Sequence, residues 1–285
     1  MNIKIAAAQI DVTIADPAAN LQRMESTFRE CCRQGAHLTI FPECALAGYC
    51  FNSAAEALEW AETLPGPSVE HFTRVARQTG GYVAYGLLER DGEQLYNACA
   101  LVGPEGLVGS YRKVHLPYLG VDRYTSTGNR GFQVWDAGGL KVGMLICYDL
   151  AFPEAARVLA LAGADLIALP TNWPPGAQCT SECVANARAL ENAVFVAAVN
   201  RVGQERGWEF IGRSRICDTN GHTLAFAPTA EPTILYSDLN LDRARNKHIV
   251  RVPKLHEINR FADRHPEFYG PLGEPVRHQR PVIEP

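Results

Sequence analysis

Leu140-Lys-Val-Gly-Met-Leu-Ile146, a helix-forming stretch over residues 153–162, and Gly163-Ala-Asp-Leu-Ile-Ala-Leu-Pro170 read in succession as strand, helix, Gly-Ala, strand, Pro. The same order occurs earlier in Ile3-Lys-Ile-Ala-Ala-Ala-Gln9, residues 17–34, and Gly35-Ala-His-Leu-Thr-Ile-Phe-Pro42. Each copy then meets another helical segment, 67–78 or 179–191. Each ends in a further apolar strand, Tyr82-Val-Ala-Tyr-Gly-Leu-Leu88 or Val194-Phe-Val-Ala-Ala-Val199. A helical period relates Leu21, Met24 and Phe28 in the first copy, and Val158, Leu159 and Leu161 in the second. Gly35 and Gly163 stand where a left-handed residue would end each helix, and Pro153 suits a first helical turn. The repeat predicts two βα halves related by an internal pseudo-two-fold.

Hairpins are expected beside these units. Residues 95–102 and 107–112 flank the turn Gly103-Pro-Glu-Gly106, and 213–218 and 223–227 flank Thr219-Asn-Gly-His222. The Asn-Gly pair in the latter favours a type I′ turn. Parallel βα strands with antiparallel hairpins give two mixed sheets, each covered by helices on one face. Stacked sheet to sheet, they form a four-layer α-β-β-α sandwich. No linker composition divides the halves, so residues 1–285 are expected to form one domain. Residues from about 250 to 285, with Pro253, Pro266, Pro271 and Pro275 among charges, read as an extended C-terminal arm.

The 47% apolar and 20% charged content is that of an ordinary globular chain, and the net charge of −4 with scattered basic residues argues against a nucleic-acid partner. No apolar run approaches the roughly 20 residues of a membrane span. The first residues read as a strand and not as a signal peptide. An odd count of nine cysteines argues against a secreted disulfide framework, and a cytoplasmic location is expected. Cys179 and Cys183 are spaced i, i+4, but no further ligands at zinc spacing accompany them. No serine elbow, metal-binding helix, dinucleotide fingerprint or phosphate-binding loop is present, so no metal or other cofactor is expected.

Three residues carry chemistry at strand ends. Cys147 follows Ile146, Glu43 closes Leu38-Thr-Ile-Phe-Pro-Glu43, and Lys113 lies in Ser110-Tyr-Arg-Lys113-Val-His-Leu-Pro117. Brought into one pocket, they would form an activated sulfur nucleophile. Glu43 would accept the thiol proton and pass it to a leaving group. Lys113 and a helix terminus after Cys147 would lower the thiol pKa. Lys113 and the backbone N–H of Tyr148 would stabilise a tetrahedral oxyanion. The reaction class is acyl transfer to water from a carbon bearing nitrogen.

Phe41-Pro-Glu43, Tyr111-Arg-Lys113-Val-His-Leu116 and Cys147-Tyr-Asp-Leu-Ala-Phe-Pro-Glu154 closely resemble the three catalytic blocks of the nitrilase, or carbon–nitrogen hydrolase, superfamily. The likeness runs from Lys4-Ile-Ala-Ala-Ala-Gln9 to Phe261-Ala-Asp-Arg-His-Pro-Glu-Phe-Tyr-Gly270. It implies the sandwich fold, a homodimer or larger homo-oligomer, and the roles base for Glu43, stabiliser for Lys113 and nucleophile for Cys147. Many members carry a second glutamate in the loop after the lysine. This chain has Pro117-Tyr-Leu-Gly-Val-Asp122, so Asp122 is the candidate second acid, one methylene shorter. Leu150-Ala151 stands where relatives acting on carboxylate-bearing substrates often place arginine. Arg123, Arg130 and Arg201 are the other candidate clamps. Asn172 and Trp173, after the strand that echoes the Glu43 strand, are expected to line the substrate site. His115 could pass for a Cys–His partner, but in the family it is not the base.

The expected activity is hydrolysis of a small-molecule carboxamide to acid and ammonia through a cysteine thioester, with amide and water as its small-molecule partners and no nucleic acid or membrane. Nitrile hydrolysis and N-carbamoyl hydrolysis are alternatives in the same site, and a catalytically silent scaffold is the alternative from another class.

Overall fold

The computed structural model describes residues 1–275; the last part of the expected arm, 276–285, lies outside the described residues. The first half runs β1 (Asn2–Gln9), α1 (Pro17–Arg33), β2 (Leu38–Ile40), α2 (Ala54–Leu58), α3 (Pro67–Thr79), β3 (Tyr82–Asp91), β4 (Gln94–Gly103) and β5 (Gly106–Arg112). The second continues with β6 (Val134–Ala137), β7 (Leu140–Met144), α4 (Pro153–Leu161), β8 (Leu166–Thr171), α5 (Ala185–Asn192) and β9 (Phe195–Asn200). Then follow the short β10 (Gln204–Glu205) and β11 (Trp208–Glu209), β12 (Arg215–Cys217), β13 (Thr223–Phe226), β14 (Thr233–Asn240) and α6 (Leu241–Arg245).

Two six-stranded sheets result, ordered β14-β1-β2-β3-β4-β5 and β13-β12-β9-β8-β7-β6. Read from opposite ends they have one pattern. Three parallel strands, β1-β2-β3 or β7-β8-β9, are followed by two antiparallel ones, and a further antiparallel strand covers the first. The expected pseudo-two-fold is therefore built into the strand order. β1 packs on β9, β3 on β8 and β5 on β6, so the sheets stack face to face, with α1 and α3 covering the first and α4 and α5 the second. The apolar runs explain this arrangement, because a strand buried on both faces needs no polar alternation. Ile5 through Ala8 and Leu166 through Leu169 are almost entirely shielded from solvent.

The helix ends repeat as well. Gly35 and Gly163 have φ of +83° and +90°. Their N–H groups reach Cys32 O and Ala160 O, while the next residues, Ala36 and Ala164, reach Cys31 O and Leu159 O. These paired bonds satisfy the orphan carbonyls of α1 and α4 and turn the chain into β2 and β8.

Some local expectations differ. Of Val158, Leu159 and Leu161, only Leu159 is buried; Ala155, Ala156 and Ala160 complete the inward face of α4. Small residues let the helix lie close to the sheet, so the larger ones fall outside. The helix expected from residue 179 contains a wider turn at Thr180–Val184 before α5 begins. At the β12–β13 hairpin only Gly221 has positive φ, whereas a type I′ turn would need it at Asn220 too. Asp218 supplies the reason. Its Oδ1 accepts from Asn220 N and His222 N, and its N–H donates to His222 O at 2.8 Å. The loop thus closes with one left-handed glycine after an ordinary turn.

A second compact unit begins at Lys247. It holds the antiparallel hairpin β15 (His248–Val252) and β16 (His256–Asn259), then two short turns at Pro266–Phe268 and Gly270–Gly273, where an extended segment was expected.

Gly35→Ala and Gly163→Ala are each expected to lower unfolding free energy by about 1–2 kcal/mol, because an L-side chain is strained in the left-handed region. The space around both Cβ positions is open, so backbone strain is the main cost. Urea unfolding curves measure it; midpoints unchanged from wild type would show that neither cap needs that conformation.

Candidate active site

Glu43, Lys113 and Asp122 converge in a fully enclosed cluster. Pro42 O accepts from Gly86 N at 3.0 Å, and Leu46 N donates to Gly86 O, which fixes the Glu43 loop against β3. Lys113 leaves the end of β5 with its N–H on Asn97 O of β4. Its Nζ donates to Glu43 Oε1 at 2.7 Å and to Asp122 Oδ2 at 2.5 Å, and all three side chains are shut off from solvent. Asn97 Nδ2 donates to Glu43 Oε1 at 2.7 Å and to Asp122 Oδ1 at 2.8 Å.

Burying one ammonium beside two carboxylates is tolerable only because nearly every lone pair has a donor. The cluster still carries a surplus negative charge. Burial is the main cause holding the Glu43 carboxyl above the usual glutamate range, and Asp122 adds to it against the opposing pull of Lys113. At Lys113 burial favours the neutral amine, but Asp122 and Glu43 together outweigh it, so the ammonium stays charged.

Cys147 arrives from the other sheet. It follows β7 and opens a single tight turn, Cys147–Ala151, with φ of +48°. A non-glycine residue in that region stores strain and needs surrounding structure to hold it. Asp149 is the holder. Its Oδ2 accepts from Ile146 N at 2.9 Å and Tyr111 OH at 2.8 Å, and its Oδ1 from His115 N at 3.0 Å. His115 also meets Asp149 Oδ1 through Nδ1 at 2.7 Å, and its ring stacks on Phe152 at 3.6 Å. That geometry explains why His115 is no partner for the sulfur.

The sulfur itself is only slightly exposed. Burial, followed by the Glu43 charge, pushes the Cys147 thiol up to about 12, while Lys113, the Thr171 hydroxyl and the Asn172 backbone pull the other way. The expected lowering is therefore reversed. α4 begins only at Pro153, so no long helix points its N-terminus at the sulfur, and Lys113 is already engaged by two carboxylates. The group therefore rests as a thiol.

Several buried polar atoms without partners belong to residues of this site. Glu43 Oε2, Thr171 Oγ1 and both side-chain heteroatoms of Asn172 are buried without hydrogen-bond partners among the described residues. Such atoms ordinarily mark where water or a ligand belongs. Trp173 is buried beyond them, its N–H on Asn200 Oδ1 at 2.8 Å. Tyr148 leaves its ring partly exposed, edge-on to Phe152. Asp122 joins the cluster, yet both its oxygens are taken, Oδ2 also by Tyr49 OH at 2.8 Å. Asn97, Tyr49, Tyr111, Asp149 and Thr171 went unnoticed in the sequence. Asp149 alone left a hint there, sitting two residues past the cysteine.

The three arginines considered as carboxylate clamps are committed elsewhere. Arg130 bonds Ser110 Oγ and Glu89, Arg123 bonds Gly120 O and Phe51 O, and Arg201 pairs with Glu205. Arg188, near the cysteine turn, is tied to Leu150 O, Ala151 O and Glu191.

Comparison with known proteins places the chain in a family. Residues 4–248 match the family described as carbon-nitrogen hydrolase. A protein named nitrilase from Pyrococcus abyssi is 39% identical over 272 residues, covering 94% of this chain and 99% of that one. An omega-amidase from Mus musculus is 34% identical, covering 79% and 84% of the two chains. The crystal structure of an amidase from Nesterenkonia superposes with a TM-score of 0.74 at 27% identity, covering 86% of this chain and 92% of that one. In a mutant of that amidase the acetamide moiety of fluoroacetamide is covalently added at the active-site cysteine. The chain belongs to the carbon–nitrogen hydrolase family, within the nitrilase superfamily, and is an enzyme of that class.

Glu43→Gln removes the second-largest cause of the high thiol pKa. The pH midpoint for alkylation of Cys147 by iodoacetamide should therefore fall by about one unit or more, since a neighbouring like charge disfavours ionisation. Peptide mapping of the alkylated residue across pH measures it; a midpoint that stays put or rises removes Glu43 from the sulfur's surroundings.

Proposed function

We propose that this carbon–nitrogen hydrolase is an amidase, cleaving an uncharged small-molecule carboxamide to acid and ammonia through a thioester on Cys147. The observation that carries this reading is the complementary vacancy of two buried groups. Glu43 uses Oε1 for Lys113 and Asn97 and leaves Oε2 unpartnered. Lys113 has three N–H donors and spends two on carboxylates, leaving one for a substrate oxygen. In this reading Glu43 is the base and Lys113 the oxyanion donor for the Cys147 sulfur, whose ionisation both influence.

In the first half-reaction Glu43 Oε2 takes the Cys147 proton as the sulfur bonds to the amide carbon. The carbonyl oxygen becomes an oxyanion against Lys113 Nζ and the Tyr148 backbone N–H. Glu43 then hands its proton to the amide nitrogen, the C–N bond breaks and ammonia leaves. In the second, water enters the vacated place and gives a proton to Glu43 while its oxygen attacks the thioester. The C–S bond breaks, the sulfur recovers the proton, and the acid departs. The raised Glu43 pKa narrows its gap with the thiol, which makes the transfer easier. Asp122 acts here by holding Lys113, with Asn172 and Trp173 beside the acyl group.

An uncharged substrate follows from the commitment of Arg123, Arg130, Arg201 and Arg188 to other partners. Lys113 is the cation beside the sulfur, and two carboxylates already flank it. Amide chemistry is supported by the Nesterenkonia amidase and the omega-amidase. The likeness to the Pyrococcus nitrilase favours a second reading, attack of the same sulfur on a nitrile carbon.

Ammonia release across paired amides and nitriles separates the two; turnover of nitriles alone overturns the amidase reading. Short neutral amides should exceed amides bearing a distal carboxylate in kcat/KM by about tenfold or more, the worth of one missing charge-assisted hydrogen bond. Cys147→Ala should abolish release while the circular dichroism spectrum is retained, and unchanged turnover in that variant would refute the thioester route.

A further inference from the structure

We propose that Glu205, clamped by Arg201, is a positioning residue for the Lys113 ammonium and acts through Tyr49; the proposal rests on the amidase reading above. Tyr49 grips its surroundings at three points. Its N–H donates to Glu205 Oε2 at 2.8 Å, its carbonyl accepts from Val121 N at 2.8 Å, and its hydroxyl reaches Asp122 Oδ2 at 2.8 Å and Leu119 O at 3.0 Å. The ring lies so close under the 119–122 turn that a Cβ on Gly120 would come within 2.2 Å of it, and Gly120 has φ of +50°. Tyr49 therefore sets where the turn carrying Asp122 can sit.

Glu205 sets where Tyr49 can sit. Its Oε2 also accepts from Cys50 N at 2.6 Å, and its Oε1 meets Arg201 Nη1 at 2.6 Å. Arg201 is fully buried, with Nη2 on Val12 O at 2.6 Å and its guanidinium 4.3 Å from the Phe210 ring centre. Such a pair satisfies its own charges and gives the 49–50 backbone a rigid anchor.

The consequence falls on Lys113. Asp122 Oδ2 is shared between Lys113 and Tyr49. Without the phenol, the carboxylate loses a donor and the turn loses its support, so the ammonium follows Asp122 away from the substrate oxygen. Arg201 and Glu205 come from the half of the chain that supplies Cys147, whereas Glu43, Lys113 and Asp122 come from the other. The buried pair makes the placement of the lysine depend on the closure of the two halves.

The test uses the full-length protein, with Tyr49→Phe and Glu205→Gln, and ammonia release from a short neutral amide. Both variants are expected to lower kcat by about 10- to 100-fold with KM changed by less than about threefold, as for a small misplacement of a catalytic group. A Tyr49→Phe enzyme with wild-type kcat, or one that loses KM in place of kcat, overturns the proposal. So does a Glu205→Gln enzyme whose activity falls only in proportion to the folded fraction seen in thermal melts. If wild type releases no ammonia from any amide, the amidase reading itself fails. Alkylation of Cys147 against pH then decides: a midpoint shifted by Tyr49→Phe supports the positioning role, and an unmoved one ends it.

Discussion

A lysine with no access to water and a carboxylate on either side is the constraint around which this molecule is arranged. An isolated buried ammonium would cost several kcal/mol or lose its proton. Glu43 and Asp122 at 2.7 and 2.5 Å keep Lys113 charged, and Asn97 ties the two carboxylates to each other. The arrangement is costly unless every partner is held still, which is what two stacked sheets and a packed loop after Pro117 accomplish. The same tightness leaves Glu43 Oε2 and one Lys113 N–H without protein partners, and the proposed chemistry uses those two vacancies.

The nucleophile is held by a different device. Cys147 sits in a strained left-handed conformation that Asp149 secures with bonds to Ile146, Tyr111 and His115. Burial keeps its thiol protonated, so activation must coincide with attack. A protonated thiol is poorly reactive toward stray electrophiles, and in the proposed mechanism it is activated only when a substrate carbonyl reaches Lys113 and Glu43 takes the proton. Restraint in the resting state and competence in the loaded one come from the same low-dielectric surroundings.

The pseudo-two-fold divides the labour. Glu43 follows β2 and Thr171 ends β8, the corresponding strand of the other half, so one copied position carries the proposed base and the other a hydroxyl that acts on the Cys147 thiol. Each copy would be inert alone. Face-to-face packing of the sheets buries the acid and amine of the first and the thiol of the second, close enough for Glu43 and Lys113 to act on the ionisation of Cys147.

Much of this was legible in the chain. The repeated strand–helix–Gly-Ala–strand–Pro order determined the βα halves, because hydrophobic period and glycine caps are local properties that act wherever they occur. The identities of Glu43, Lys113 and Cys147 as chemistry-bearing strand ends were legible for the same reason, and Asp122 was found as the candidate second acid. What tertiary structure alone decided was charge and partnership. Whether the thiol rests protonated, whether Asp122 faces substrate or lysine, and whether Arg201 clamps a ligand or Glu205 depend on burial and on which side chains meet in space, from pairs 4 or 9 positions apart to a contact across 189. Desolvation and hydrogen bonding at such separations leave no periodic trace along the chain, so only the folded molecule can set them.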